Sequence, residues 1–222
     1  MADRHFPITT GHFYHIFNRG VAKQPTFLSK KDYEQAILAL SYYRFSNVPI
    51  KLSRFKEISV EERTKLMSSL EKDNDNLVRI VGFVLMPNHF HFLLYQNKDK
   101  GIATFIAKFS NSYTKYFNTK NERVGPIFQG VYKAVRVDTD EQLVHLSRYI
   151  HLNPVVSALI TEGEVFDYPW SSLPHFLKDN STLVYVDPVL SLFKNKSKYS
   201  KFLLDQVAYA RQLELIKHLT LE

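Results

Sequence analysis

Residues 77–86 (LVRIVGFVLM) are apolar almost without a break, and this run constrains the fold more than any other stretch of the chain. It is half the length of about 20 residues that a bilayer-spanning helix needs. It is β-branched and short, which suits a strand buried on both faces. Pro87 and Asn88 then supply a turn, and the residues from His89 to Gln96 (HFHFLLYQ) read as a returning strand. A sheet that contains such a buried strand has to be covered on both sides by the rest of the chain.

Covering elements can be read on either side of that hairpin. Residues 13–18 (FYHIFN) alternate and stop at Arg19-Gly20, as a strand does. Residues 30–45 place Tyr33, Ile37, Leu40 and Tyr43 at helical spacing. Residues 51–76 are charged and fit a helical insertion with a loop. In residues 102–117, Ile102, Phe105, Ile106, Phe109, Tyr113 and Tyr116 form one helical stripe. Gly125-Pro126 breaks the chain, and residues 131–137 are rich in β-branched side chains, as strands are. Asp138 with Glu141 resembles a capping box, which opens a helix running to about Leu152, where Pro154 is expected to stop it. The order β-α-β-β-α-β plus a helix predicts an α+β, ferredoxin-like antiparallel sheet with crossover helices. Trp170 lies in a DYPWSS turn, and residues 199–219 are expected to be helical. We therefore expect a main domain over residues 1–178 and a helical C-terminal appendage over 179–222.

Composition narrows the chemistry. The chain has no cysteine, so thiolate metal sites and disulfides are excluded, and a reducing cytoplasm fits. Neither a membrane span nor a signal peptide is expected. There are 29 Lys and Arg against 22 Asp and Glu, a net charge of +7, which suits a polyanionic partner. Charge alone leaves nucleic acid at even odds.

Two constellations carry reactive groups. His89 and His91 are two apart on one strand, so both imidazoles leave the same face, with Phe90, Phe92 and Leu94 on the other. A pair of neutral imidazoles at that spacing can share a divalent ion, although an isolated His-x-His is more often two polar residues on a half-exposed strand. In the helix after the last strand, Tyr149 and Asn153 are four apart and stack on one face, on the shoulder of the stripe Leu143, Leu146, Ile150; His145 is one turn earlier. On its own this tyrosine reads as an amphipathic residue at the core edge. Beside a metal-binding pair it becomes a candidate nucleophile for phosphoryl transfer, giving a 5′-phosphotyrosine and a free 3′-OH. The Asn153 amide oxygen would complete a site suited to Mg²⁺ or Mn²⁺.

At these residues the chain resembles a known family. GFVLMPNHFHFLL is similar to the His-hydrophobic-His motif of the IS200-like, single-tyrosine transposases, and more closely to their REP-associated branch. RYIHLNPV resembles the family's tyrosine helix, and YHIFNRG and GPIFQGVYKAVRV also match its pattern. The likeness spans residues 11–172. It implies an HUH-nuclease version of the ferredoxin-like fold, and cleavage and rejoining of single-stranded DNA with hairpin recognition sequences. It also implies Tyr149 as nucleophile, His89, His91 and Asn153 as metal ligands, and a monomer or homodimer at the bacterial nucleoid. Residues 51–76 exceed the expected length, and the tail after residue 180 matches nothing in the pattern.

Single strands are held by basic grooves and stacking aromatics. The candidates are Arg19, Lys133 and Arg136 first, then Lys108, Lys115 and Arg123, with Phe128 and Tyr132 as stacking platforms. Two rival readings fit the same residues: a nucleic-acid-binding ferredoxin-like module without catalysis, and a metal-dependent hydrolase in which Tyr149 is structural.

Overall fold

The computed structural model describes residues 7–178 and 182–205. Strands β1 (Phe13–Arg19), β2 (Val78–Met86), β3 (His89–Gln96) and β4 (Lys133–Val137) form one antiparallel sheet in the order β2-β3-β1-β4. Helices α1 (Lys30–Tyr43), α2 (Leu52–Glu57) and α3 (Val60–Asp73) lie between β1 and β2. Helix α4 (Gly101–Lys120) joins β3 to β4, and α5 (Asp140–Val156) follows β4. This is the α+β, ferredoxin-like arrangement that the element order predicts.

The hairpin pairs Met86 with His89 across the two turn residues, and nearly every residue of β2 is buried. Alternation along β3 sends Phe90 and Phe92 to the face covered by α4, where they meet Phe109 at 5.6 and 5.3 Å. Helix α1 packs against α4 in the same layer. Gly101 begins α4 because a Cβ there would lie 2.2 Å from the Leu77 carbonyl oxygen, so only glycine lets the helix start so close to β2.

The other face of β2 and β3 is covered by α5. The outer edge of β2 is not left bare. The Leu85 amide donates to the Trp170 carbonyl (2.8 Å), the Ser172 amide to Phe83 (2.8 Å) and the Tyr185 amide to Ile80 (2.7 Å), which removes a strand edge open to other chains. Three short helices, α6 (Leu173–Leu177), α7 (Asp187–Leu190) and α8 (Lys196–Leu204), complete the described chain. His151 ties them to α5 and the sheet. Its Nδ1 is 2.7 Å from the Tyr199 hydroxyl of α8, and its Nε2 is 2.7 Å from Ser172 Oγ, which in turn accepts from the Phe83 amide at 2.8 Å. The helix expected over 199–219 begins three residues earlier, at Lys196; residues 206–222 lie outside the described residues.

Three local expectations change, and the helical insertion is borne out in detail. The N-cap of α5 is Thr139, whose hydroxyl accepts from the Gln142 amide at 3.1 Å, because the Asp138 carboxylate is drawn instead to Arg136 Nε at 2.6 Å. Pro154 sits inside α5 and does not stop it. A proline deletes its own N–H bond to the carbonyl four residues back, but here the helix ends two residues later, and the carbonyls of Asn153 and Pro154 are taken by the amides of Ser157 and Leu159. Strand β4 begins at Lys133, not at residue 131. The charged insertion resolves into α2 and α3, the latter opened by a Ser59–Glu62 capping box and closed by Asn74 at φ 50°.

Candidate active site

Strand alternation and the pairing register together decide what shares the α5-covered face. In the register His91 stands beside Phe17 on β1 and Val84 on β2, and His15 stands beside Leu93 and Val135. Paired residues point the same way, so His89, His91, His15, Phe17, Lys133 and Val135 all belong to this face. Helix α5 lays the Tyr149 ring across it. The Tyr149 and His91 rings meet edge-on with centroids 5.3 Å apart, and His15 approaches the same ring at 6.1 Å. One turn on, Asn153 is buried with its Oδ1 3.2 Å from His89 Nε2. The two imidazoles, the amide and the phenol expected from sequence are thus brought around one point. Tyr149 remains 44% exposed, so the residue lies at the surface of the site.

His91 and His15 are held neutral. Burial pushes His91 well below its ordinary range, with the neighbouring His15 and His89 adding to the shift, and burial lowers His15 to about 4. Neutral imidazole is the form that ligates metals. The side of His89 turned away from Asn153 is also fixed: its Nδ1 is 2.7 Å from Asn88 Oδ1. An amide oxygen only accepts, so a neutral His89 carries its proton on Nδ1 and its lone pair on Nε2. That lone pair faces the carbonyl oxygen of Asn153, and two acceptors facing each other are attracted to a common cation. Among the described residues no three His, Cys, Asp or Glu side chains gather to hold a metal; the donor set is two imidazoles and an amide, which fits a divalent ion that keeps oxygen ligands from solvent or substrate.

A cleft of about 370 Å³ opens beside the histidines, lined among others by Phe17, Arg19, His89, His91, Gln129 and Lys133. Arg19 Nε donates to Gln129 Oε1 at 2.5 Å, and Lys133 Nζ lies 5.9 Å from the Phe17 ring centre. Two of the expected DNA contacts, Arg19 and Lys133, therefore flank the site. The others do not. Arg136 pairs with Tyr14 in the register, so it leaves β4 on the opposite face, where it meets His12 and Asp138. Lys108 and Lys115 line a separate groove on the helix layer, with Lys51, Lys56 and Lys120. Arg123 stacks over Phe117 at the end of α4. Phe128 is only 6% exposed and packs between Phe90 and Tyr113, so it offers no face to a base; Tyr132 is half-buried against the core. His145 turns to Arg148 and Phe202, away from Tyr149. His15, Asn88, Phe17 and Gln129 were not among the residues expected at the site.

Residues 41–153, just over half of the 222-residue chain, match the sequence model of a family described as "Transposase IS200 like". The chain belongs to the IS200-like transposase family. The matched segment contains His89, His91, Tyr149 and Asn153, the side chains that meet in the fold. Among solved structures, "Structure of the REP associates tyrosine transposase bound to a REP hairpin" superposes with a TM-score of 0.55 at 14% identity, covering 84% of this chain and 90% of that one. At that identity the likeness is one of fold. A search of curated proteins gives no match. As a member of this family the protein acts on DNA. No helix among its described residues is long and apolar enough to cross a membrane.

Proposed function

We propose that this transposase-family protein cleaves and rejoins single-stranded DNA through Tyr149, guided by a hairpin in its substrate. The convergence of Tyr149, His89, His91 and Asn153 on one face of the sheet carries the reading. A REP hairpin bound to the structural neighbour supports the hairpin as the recognised form.

In this reaction the Tyr149 hydroxyl gives up its proton and its oxygen attacks the scissile phosphorus. The bond from phosphorus to the 3′ oxygen breaks, and that oxygen takes a proton. One product strand carries a 5′-phosphotyrosine link to the protein and the other a free 3′-OH. Because an ester replaces an ester, a second 3′-OH can attack the same phosphorus, release Tyr149 and join new strands. A tyrosine hydroxyl with a pKa near ~10 is poorly ionised at pH 7 and its phosphodiester target is anionic, so attack needs help with charge. His89, His91 and Asn153 would hold Mg²⁺ or Mn²⁺, which when bound supplies positive charge to the phosphate and favours ionised over neutral oxygen. Helix α5 lays the phenol against the imidazoles at the edge of the cleft, where a strand would meet it. Arg19 and Lys133 would take neighbouring phosphates.

The test uses the full chain, Mg²⁺ or Mn²⁺, and a labelled oligonucleotide with a hairpin and single-stranded flanks. A covalent protein–DNA band that survives denaturing electrophoresis and disappears in Tyr149→Phe is expected. Cleavage that persists in Tyr149→Phe without a covalent band would mean a hydrolase with a structural tyrosine. Tight DNA binding with no cleavage by the unmodified protein would mean a binding module.

A further inference from the structure

The two histidines of the site are treated alike at their far nitrogens, and only one partner is an obvious acceptor. His89 Nδ1 is held by the Asn88 amide oxygen. His91 Nδ1 is held at 2.8 Å by Nε2 of another imidazole, His15 of β1. The His15 and His91 rings are 24° from coplanar with centroids 5.0 Å apart; with the two nitrogens at 2.8 Å they meet edge to edge, as hydrogen-bonded rings do. The β1–β3 register creates this contact. His15 stands opposite Leu93, and His91 is the next residue on the same face.

Proton counting gives the contact a consequence. A neutral imidazole has one N–H and one lone pair. If His91 donates its Nδ1 proton to His15, the lone pair of His91 is on Nε2. If His15 donates instead, the proton of His91 is on Nε2, and no lone pair remains for an ion. Since His91 Nδ1 is already in contact with His15, an ion held by His91 has to be met at Nε2. We infer that His15 is a positioning residue: it accepts the Nδ1 proton of His91, holds the plane of that ring, and so keeps a lone pair on His91 Nε2 for the divalent ion, as Asn88 does for His89. The inference rests on the reading of His89, His91 and Asn153 as an ion site. Outer partners of this kind change metal affinity by about 10–100-fold when removed.

The test needs no DNA and no activity. Mn²⁺ binding to the full-length protein is titrated calorimetrically for the unmodified chain, His15→Phe and His15→Gln. The phenylalanine keeps the ring packing on Phe17 and Tyr149 but cannot accept a proton; the glutamine amide oxygen can. His15→Phe is expected to weaken Mn²⁺ by about 10–100-fold, with His15→Gln within a few-fold of the unmodified protein. In addition, long-range ¹H–¹⁵N spectra of the metal-free unmodified protein at pH 7 should show the His91 proton on Nδ1. Equal Mn²⁺ affinity in His15→Phe, or a His91 proton on Nε2, overturns the role of His15 and leaves the ion site standing. No Mn²⁺ binding by the unmodified protein overturns the ion site itself and the role of His15 with it.

Discussion

Replacing His151 by phenylalanine should change the pH dependence of stability as well as stability itself. The ring is fully buried between the Tyr199 hydroxyl and Ser172 Oγ, and burial lowers it from its ordinary 6.5 to about 3. At pH 7 the variant loses two buried hydrogen bonds. Tyr199 keeps Ser147 at 3.2 Å and Ser172 keeps the Phe83 amide, so neither oxygen is stranded. The cost is then about 0.5–1.5 kcal/mol per bond, roughly 1–3 kcal/mol together. As pH falls below 6.5 the unfolded chain binds a proton at residue 151 that the folded chain refuses. Stability from this group is therefore present above 6.5 and is lost as pH falls toward about 3. At 1.36 kcal/mol per pH unit, the loss between pH 7 and pH 5 is roughly 2 kcal/mol, and phenylalanine does not suffer it. His15, His91 and His175 titrate alike in both proteins and cancel in the difference. Urea unfolding followed by the fluorescence of Trp170, the only tryptophan, should show a gap between the proteins that narrows by roughly 2 kcal/mol from pH 7 to pH 5. A gap of the same size at both pH values would refute the reasoning.

Other perturbations separate chemistry, ion binding, DNA contact and packing. Tyr149→Phe should abolish the covalent adduct while leaving hairpin DNA affinity within about two-fold and stability within about 0.5 kcal/mol, since the ring is substantially exposed; filter binding and thermal unfolding check both. Asn153→Ala should weaken Mn²⁺ by at least an order of magnitude in a calorimetric titration, because it removes the amide oxygen that faces His89 Nε2. Lys133→Ala should lower the salt slope of single-strand binding by about 0.7, the value for one phosphate contact, and Lys108→Ala should leave DNA cleavage rates unchanged because it lies on the far layer. Phe128→Ala should cost about 3–5 kcal/mol in denaturant unfolding, as a core aromatic does, and a variant of full stability would return that ring to the surface.

What the sequence made legible was periodic. A spacing of two on a strand put His89 and His91 on one face, and a spacing of four on a helix put Tyr149 over Asn153. The contact with His15 depends on which residue of β1 lies beside which residue of β3, and no local pattern states a register. The cleft had the same problem: Gln129 reaches Arg19 through a loop whose path is set by the Gly20–Phe128 bridge. The separation of Lys133 from Arg136 was within reach, since two residues three apart on one strand point to opposite faces. Phe128 carried no local sign of burial, because its pocket is assembled from β3 and from the middle of α4, neither of which is joined to it by a local repeat.

The register of β1 against β3 also governs when the protein can become reactive. The face that would grip a phosphate is stitched from a strand near the amino end, a hairpin in the middle and a helix that closes only at Asn153. A chain emerging from the ribosome carries its imidazoles long before it carries the phenol, and the phenol has nothing to lie against until the sheet has closed. Under the proposed chemistry, partial products of synthesis or proteolysis lacking any one of the three segments should not cleave DNA, so that strand breakage would be released only by a completed fold.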